Sequence, residues 1–418
     1  MTNSNTNLSS NLQVAIVGGS IAGCACAIEL IRSGCNVTLF ERSGDELKDR
    51  GAGLGIPSDT VDMFIERNLV DRDLPRFSVP YFYRIYKSDQ QPRLGYRAWD
   101  QRTAMTAVNW GELYRNLRKR VPDSIYNSNR NVIAIEEKDS DNVTLKLDNG
   151  EKALFDLVIC ADGYSSLGRT TLYPQIELQY AGYVLWRGFI EEAQLRESEP
   201  LETGIHCTGF PGGHGIFYLV PGADGSVDKG KRLVNWGVYL SIDEQNLGDF
   251  LTDKTGRQHH GSLPPGAMPI ETELKMKARV LECLPTFYSE ITEKSIDTFA
   301  YVISDCEVPA YRKGRVCLVG DAGAFARPHS GAGALKGVND AVALGASLRS
   351  NNQIEESLDI WSSERSAVNN ELARFGNQLG RALVKEIPDW SKMNAKEMEQ
   401  WYSSIVTIKS NYYIVGES

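Results

Sequence analysis

Residues able to do chemistry gather in this sequence where apolar runs end in glycine and an acid. The first run, Gln13 to Val17, leads into Gly18-Gly19-Ser20-Ile21-Ala22-Gly23 and a helical stretch to about Arg32. Gly34 breaks that helix, and a second run, Asn36 to Phe40, ends in Glu41, 23 residues after Gly18. Strand, turn, helix and strand in this order suit a dinucleotide. Gly18 permits the tight turn, Gly23 lets the helix approach the sheet, and the helix start offers N–H groups to a pyrophosphate. Glu41 can accept hydrogen bonds from an adenosine ribose, which argues against a 2′-phosphate there. Ser20 replaces the middle glycine of the usual pattern. The unit alone does not choose between NAD and FAD.

Two further stretches repeat the turn from strand to acid. Phe155 to Ala161 ends in Asp162-Gly163, and Val316 to Val319 ends in Gly320-Asp321. After the latter come Pro328-His329, Gly331-Ala332-Gly333-Ala334 and a helix carrying Asn339 and Asp340. Their distance from residue 20 implies a nucleotide domain built from separate parts of the chain, which disfavours a plain NAD dehydrogenase. Between them lie residues able to exchange protons or hold anions. His214 in PGGHGIFYLVPG comes first, because an imidazole exchanges protons near neutrality. Tyr218 is next, and His206 fits either face of its strand. Arg187 in LWRG suits an anionic ligand or a salt bridge within a sheet. His259-His260 lacks metal-motif spacing and an acidic third ligand, so no metal is expected.

The elements that must position these groups follow from pattern. Apolar or alternating runs at 182–190, 203–209, 215–221 and 232–240, separated by glycine and proline, predict an antiparallel sheet. Helices are expected near 271–284 and 286–292, and a helical tail over about 355–405 packing on the nucleotide domain. The fold class is therefore α/β: a discontinuous Rossmann-like nucleotide-binding domain, an inserted mostly antiparallel β-sheet domain for substrate, and C-terminal helices. The segments read as a disordered tail (1–12), nucleotide-binding parts (13–75, 110–175 and 311–350), a substrate-side segment (76–109), a substrate domain (176–310) and a helical region (351–418). With 418 residues, a net charge of −9 without long single-sign blocks, and no apolar run of about 20 residues, neither nucleic acid nor a membrane is an expected partner. The polar N-terminus does not read as a signal peptide. The eight cysteines have neither metal nor disulfide-scaffold spacing and read as small buried hydrophobes in a cytoplasmic protein.

Taken together, GGSIAG at 18–23, ADGYSSLGR at 161–169, GYVLWRG at 182–188 and GDAGAFARPHSGAGALKGVNDA at 320–341 resemble the single-component FAD-dependent aromatic hydroxylases of the para-hydroxybenzoate hydroxylase class. The branch most similar in appearance is that of 2,6-dihydroxypyridine 3-hydroxylase, and the likeness extends over about residues 13–380. It implies that Gly18, Gly19, Ser20, Ile21, Ala22 and Gly23 surround the FAD pyrophosphate, with Glu41 at the ribose and Arg42 beside the adenosine. Asp162 and Gly163 would serve both FAD and NAD(P)H. Asp321 would bind the ribityl region, Pro328 would lie close to the isoalloxazine, and Gly331 to Ala334 would face its pyrimidine edge. Trp110 stands where many relatives carry an arginine that contacts FAD, with Arg102 or Arg115 as substitutes.

The implied activity is that of an FAD-dependent monooxygenase drawing electrons from NADH or NADPH. It would hydroxylate an electron-rich pyridine-, quinoline- or phenol-like ring with dioxygen, through a flavin hydroperoxide. In that reading His214, Tyr218, Pro328 and His329 are the catalytic candidates, and Arg187, His206, His214 and Tyr218 the substrate-binding ones, with His214 assisting deprotonation of a ring hydroxyl. The alternatives are an epoxidase or Baeyer–Villiger-type oxygenase acting on a larger metabolite, and a non-catalytic FAD- or ligand-binding protein. The oligomeric state stays open, a homodimer included.

Overall fold

The computed structural model describes residues 12–44, 47, 53–139, 142–351 and 353–406. Most of the N-terminal tail expected to be disordered therefore lies outside the described residues.

The nucleotide side is a six-stranded sheet in the order Arg312–Lys313, Val316–Leu318, Leu157–Cys160, Gln13–Val17, Asn36–Phe40, Tyr126–Asn127. All its pairings are parallel except the one between Arg312–Lys313 and Val316–Leu318. Parallel strands need both faces covered, which accounts for their near-continuous apolar runs. Val17 lies opposite both Cys160 and Phe40, and Cys160 opposite Leu318. Four strand ends thus fall on one rung. The turns after them, at Gly18, Glu41, Ala161 and Val319, open into one crevice at the carboxyl edge, where open α/β sheets bind ligands.

Two helices seal this arrangement through small residues. A Cβ on Gly23 would lie 1.8 Å from the Gly18 carbonyl oxygen, so the Ile21–Arg32 helix depends on glycine there. Ala22 of that helix packs against Gly337 of the Gly333–Ser350 helix, where an added Cβ would stand 2.7 Å away.

The second layer is a nine-stranded sheet in the order Ser262–Leu263, Phe299–Asp305, Gln179–Glu191, Leu233–Ser241, Gly213–Val220, Gly204–Phe210, Arg76–Tyr86, Tyr96–Asn109, Gly53–Pro57. It is antiparallel except where Gly204–Phe210 runs parallel to Arg76–Tyr86. Alternation divides its faces. Trp186, Phe217 and Trp236 pack with Phe287 and Tyr288 of the Thr286–Lys294 helix, while Arg187, Tyr218 and Asn235 face the other way into a cavity. Gly53–Pro57, which the sequence grouped with the nucleotide part, is an edge strand of this sheet. A third, three-stranded sheet is formed by Val132–Asp139, Asn142–Leu147 and Lys152–Phe155.

The helical tail divides its packing. Ile354–Gly380 lies on the nucleotide side, where Trp361 Nε1 donates to the Asp340 carbonyl. Arg381–Lys385 and the Ala395–Ile405 helix instead pack on the large sheet. The latter helix is fixed by a capping box between Asn394 and Glu397. No described helix is long and apolar enough to cross a membrane.

Candidate active site

Three adjoining cavities run from the N-terminal glycine turn to the large sheet. The first, lined by Val17, Gly18, Ser20, Glu41, Arg42, Trp110, Asp162 and Gly163, follows the carboxyl edge of the parallel sheet. A second shares Arg42, Trp110, Asp162 and Gly163 with it and adds Asp321, Ala326 and Pro328. The third, of about 290 Å³, lies between the large sheet and the 326–334 segment. Pro328, Asp321 and Arg187 border both of the last two.

The residues fit a bound dinucleotide. Asp162 Oδ2 accepts from the N–H groups of Leu167 (2.7 Å) and Gly168 (3.2 Å), but Oδ1 is buried without a partner. Burial raises its carboxyl above the usual range. Cβ atoms built on Gly163 and Gly333 meet nothing within 4 Å, so both backbones stand open. Glu41 is drawn inward, accepting from Gly19 N–H and Ser43 N–H at 2.8 Å each while still lining the groove. Gly19, Ile21, Ala22 and Ala332 do not line the cavities. They act through packing and backbone, with Ile21 and Ala332 in the core.

The second and third motifs are tied together by Arg169. Its buried guanidinium donates to the carbonyls of Tyr164, Asp321 (3.1 Å) and Ala322 (3.2 Å). Asp321 also pairs with the buried Lys336 at 2.9 Å. Asp340 accepts from Gly320 N–H (2.9 Å), Arg365 (2.8 Å) and Asn369 (2.8 Å), holding the Gly320 turn from behind.

Neither arginine proposed in place of the missing one reaches the groove. Arg102 is exposed and absent from the cavity linings, to which its neighbours Gln101 and Thr103 contribute. Arg115 is paired with Glu112 and bonds the Ala223 carbonyl. Trp110 itself, stacked on Tyr114, flanks both cofactor-side cavities.

In the sheet-side cavity the structure brings together His214, Tyr218, Arg187, Pro328 and His329. His206 is not among them. It points to the opposite face, where Nδ1 meets Tyr288 Oη at 2.7 Å, because its strand places Ile205 and Cys207 on the cavity side. Burial pushes the Tyr218 phenol up to about 12, with the Arg187 charge opposing.

His214 and His329 are linked, Nε2 to Nδ1, at 3.2 Å, and both stack on Tyr239. His329 Nε2 meets Tyr183 Oη at 2.9 Å, Arg327 donates to that same oxygen at 2.9 Å, and Asp305 pairs with Arg327. His214 Nδ1 lies 3.4 Å from Cys207 Sγ. A guanidinium only donates, so the Tyr183 proton is free for His329 Nε2. With that proton given to His329 Nε2, His329 Nδ1–H donates to His214 Nε2 and His214 Nδ1–H to Cys207 Sγ, whereas the opposite tautomers reverse the order. His214, the residue expected to take a proton from a ring hydroxyl, thus lines the cavity as a member of this network. Burial, then the Arg84 charge, lowers its imidazole to about 3, and both ring nitrogens have partners. His329 is lowered by burial, then by the charges of His214 and Arg327.

Sequence reasoning missed Arg84, Gln101, Cys207, Tyr239, Leu383 and Tyr402, all of which line this cavity. The only signal for Arg84 was a charge placed among aromatics in the strand ending YFYRIY.

Residues 180–305 match the family described as FAD binding domain-like. The chain is similar to FAD-dependent aromatic hydroxylases, both among its relatives and among its structural neighbours. In particular, it is 28% identical over 361 residues to the 2,6-dihydroxypyridine 3-monooxygenase of Paenarthrobacter nicotinovorans, covering 84% of this chain and 86% of that one. The solved 2,6-dihydroxypyridine-3-hydroxylase from Arthrobacter nicotinovorans superposes with a TM-score of 0.82 at 23% identity, over 90% of this chain and 94% of that one. The salicylate hydroxylase of Pseudomonas putida is 27% identical, covering 80% of this chain and 75% of the relative.

Proposed function

We propose that the protein uses NAD(P)H and dioxygen to hydroxylate a small, electron-rich aromatic or heteroaromatic ring of pyridine, quinoline or phenol type. The observation that carries this reading is the continuity of the cofactor groove with a small cavity at Pro328. That cavity is walled by Tyr218, Tyr239 and the His214–His329 pair. About 290 Å³ suits one or two rings better than a large metabolite, which disfavours epoxidation or Baeyer–Villiger chemistry on bulky substrates.

FAD would be held by Gly18, Ser20, Glu41 and Asp162 at its dinucleotide end, and by Asp321 and the Gly331–Ala334 turn near its ring. When bound, it supplies hydride acceptance from NAD(P)H and activation of dioxygen. The chain's own residues orient the ring and manage protons. Tyr218 stays a neutral phenol and can hydrogen-bond a ring substituent. The ordered chain from Tyr183 through His329 and His214 ends at Cys207 on the cavity wall, so it is arranged to deliver a proton to the cavity. Arg327 would stabilise the phenolate left on Tyr183, and no imidazole has to remain charged.

Purified protein should be yellow, with the absorption of oxidised flavin, and a screen of hydroxylated pyridines, quinolines and phenols should find compounds that accelerate NAD(P)H oxidation. The product should gain one oxygen atom from labelled dioxygen. Failure to bind FAD, or NAD(P)H oxidation that no ring accelerates, would overturn the reading and favour a non-catalytic binding protein.

A further inference from the structure

Among the described residues, buried cations are answered by the chain itself, with one exception. Arg232 is paired with Glu192 and Glu202, Arg327 with Asp305, Arg365 with Asp340 and Lys336 with Asp321. Arg169 spends its donors on three carbonyls. Arg84, 2% exposed, makes no ion pair with any described residue. Its Nη2 reaches the neutral Gln101 Oε1 at 3.2 Å, and its Nε is buried without a partner. The guanidinium lies against the rings of Phe82 (4.1 Å) and Tyr402 (4.7 Å), which fix its position at the cavity wall.

Sheet register places Arg84 relative to the rest of the site. Arg187, Gly237, Ile216, Cys207 and Arg84 follow one another across five adjacent strands on a single rung. Four strand spacings separate the two arginines by roughly 19 Å at the backbone. Arg187 borders both the cofactor groove and the cavity, whereas Arg84 borders the cavity alone. The one acid in the cavity lining is Asp321, already engaged by Lys336. A buried charge left without a counter-charge is costly, and an anion supplied by a ligand removes that cost.

We infer that Arg84, with Gln101 and Tyr402, forms a subsite for a planar oxyanion of the substrate, a carboxylate or an ionised ring hydroxyl, at the end of the cavity remote from Arg187. The substrate then has its anionic group, carboxylate or ring oxyanion, anchored at the Arg76–Tyr86 strand and its opposite edge presented towards the cofactor. The guanidinium fork suits a delocalised oxyanion, which a carboxamide of the same shape cannot replace. The inference rests on the hydroxylase reading but can fail separately from it.

The test uses the FAD-loaded enzyme and two matched series: para-hydroxybenzoate, its carboxamide and phenol; hydroxynicotinate, its carboxamide and hydroxypyridine. Affinity is read from the change in flavin absorbance, and turnover from ring-stimulated NAD(P)H oxidation. In at least one series the carboxylate should bind about tenfold or more tighter than the carboxamide. If ring oxyanions supply the charge instead, the carboxylate has no advantage, and affinity for phenol or hydroxypyridine rises with pH as the ligand ionises. Arg84→Gln should weaken the favoured anion roughly 10- to 100-fold while changing the carboxamide far less. Arg84→Lys, which keeps the charge, should fall between, and retained FAD checks the fold of each variant. Anion preferences unchanged in both variants, or neutral and charged rings bound equally at every pH, would overturn the subsite. Stimulation by neutral rings in that case would leave the hydroxylase reading standing.

Discussion

Tyr183 is the side chain on which the proton chain turns, although it does not line the cavity. Its hydroxyl accepts an N–H from Arg327, which leaves its own proton available to His329 and would set the direction of the proposed relay. Burial holds the Tyr183 phenol above its ordinary range, with the Arg327 charge opposing, so a proton leaves it only as it is drawn along the chain. Tyr183→Phe keeps the ring packing and deletes that donor. It should lower kcat for hydroxylation by about 10²-fold, with KM for the ring and FAD content little changed, and the pH dependence of kcat should shift. Steady-state kinetics across pH, with product formed per NAD(P)H consumed, checks this. Wild-type kcat and coupling at every pH would assign Tyr183 a purely packing role.

At the scale of elements, the decisive link joins two loops 152 residues apart in sequence. Arg169 carries the Asp162 turn to the Asp321 turn through three carbonyl oxygens, and replacing it with leucine strands those acceptors in a buried site. Arg169→Leu should cost at least about 3 kcal/mol and release FAD, seen as a lower melting temperature and as flavin in the ultrafiltrate. Unchanged FAD retention would mean that the two turns hold their places independently. The turns themselves were legible in the sequence, because an apolar run ending in glycine and an acid recurs along it, and so were the alternating strands of the substrate sheet. The hydrogen bonds across them were not. Nothing local in ADGYSSLGR says which carbonyls its arginine will meet, and Asp340 shows no sign in sequence that it holds Gly320. Alternation likewise could not choose a face for His206, which needed the Thr286–Lys294 helix to decide it, nor bring Tyr402 from the far end of the chain to the cavity.

For the molecule as a whole, three of its five histidines are buried, or nearly so, and held neutral, and this makes it sensitive to acid. In the unfolded chain a histidine takes up its proton near 6.5, whereas burial lowers His206 and His214 to about 3 in the folded protein. Between these values the unfolded state binds more protons, so the stability contribution is complete above about 6.5 and is lost as pH falls. By pH 5 each of the two should have removed about 2 kcal/mol of stability, a figure insensitive to the folded value provided that it lies well below 5. His329, also lowered by burial, adds to the same loss. Melting temperature should therefore drop steeply between pH 7 and 5 rather than only in the carboxylate range. His206 separates this effect from chemistry at the site, since it faces Tyr288, with the Arg97 charge also disfavouring its protonation, on the side of the sheet away from the cavity. His206→Gln removes one titrating group, so its melting temperature should fall less steeply with acid than that of the wild type. Parallel curves for the two proteins would show that His206 is not held neutral, and that the acid response has another source.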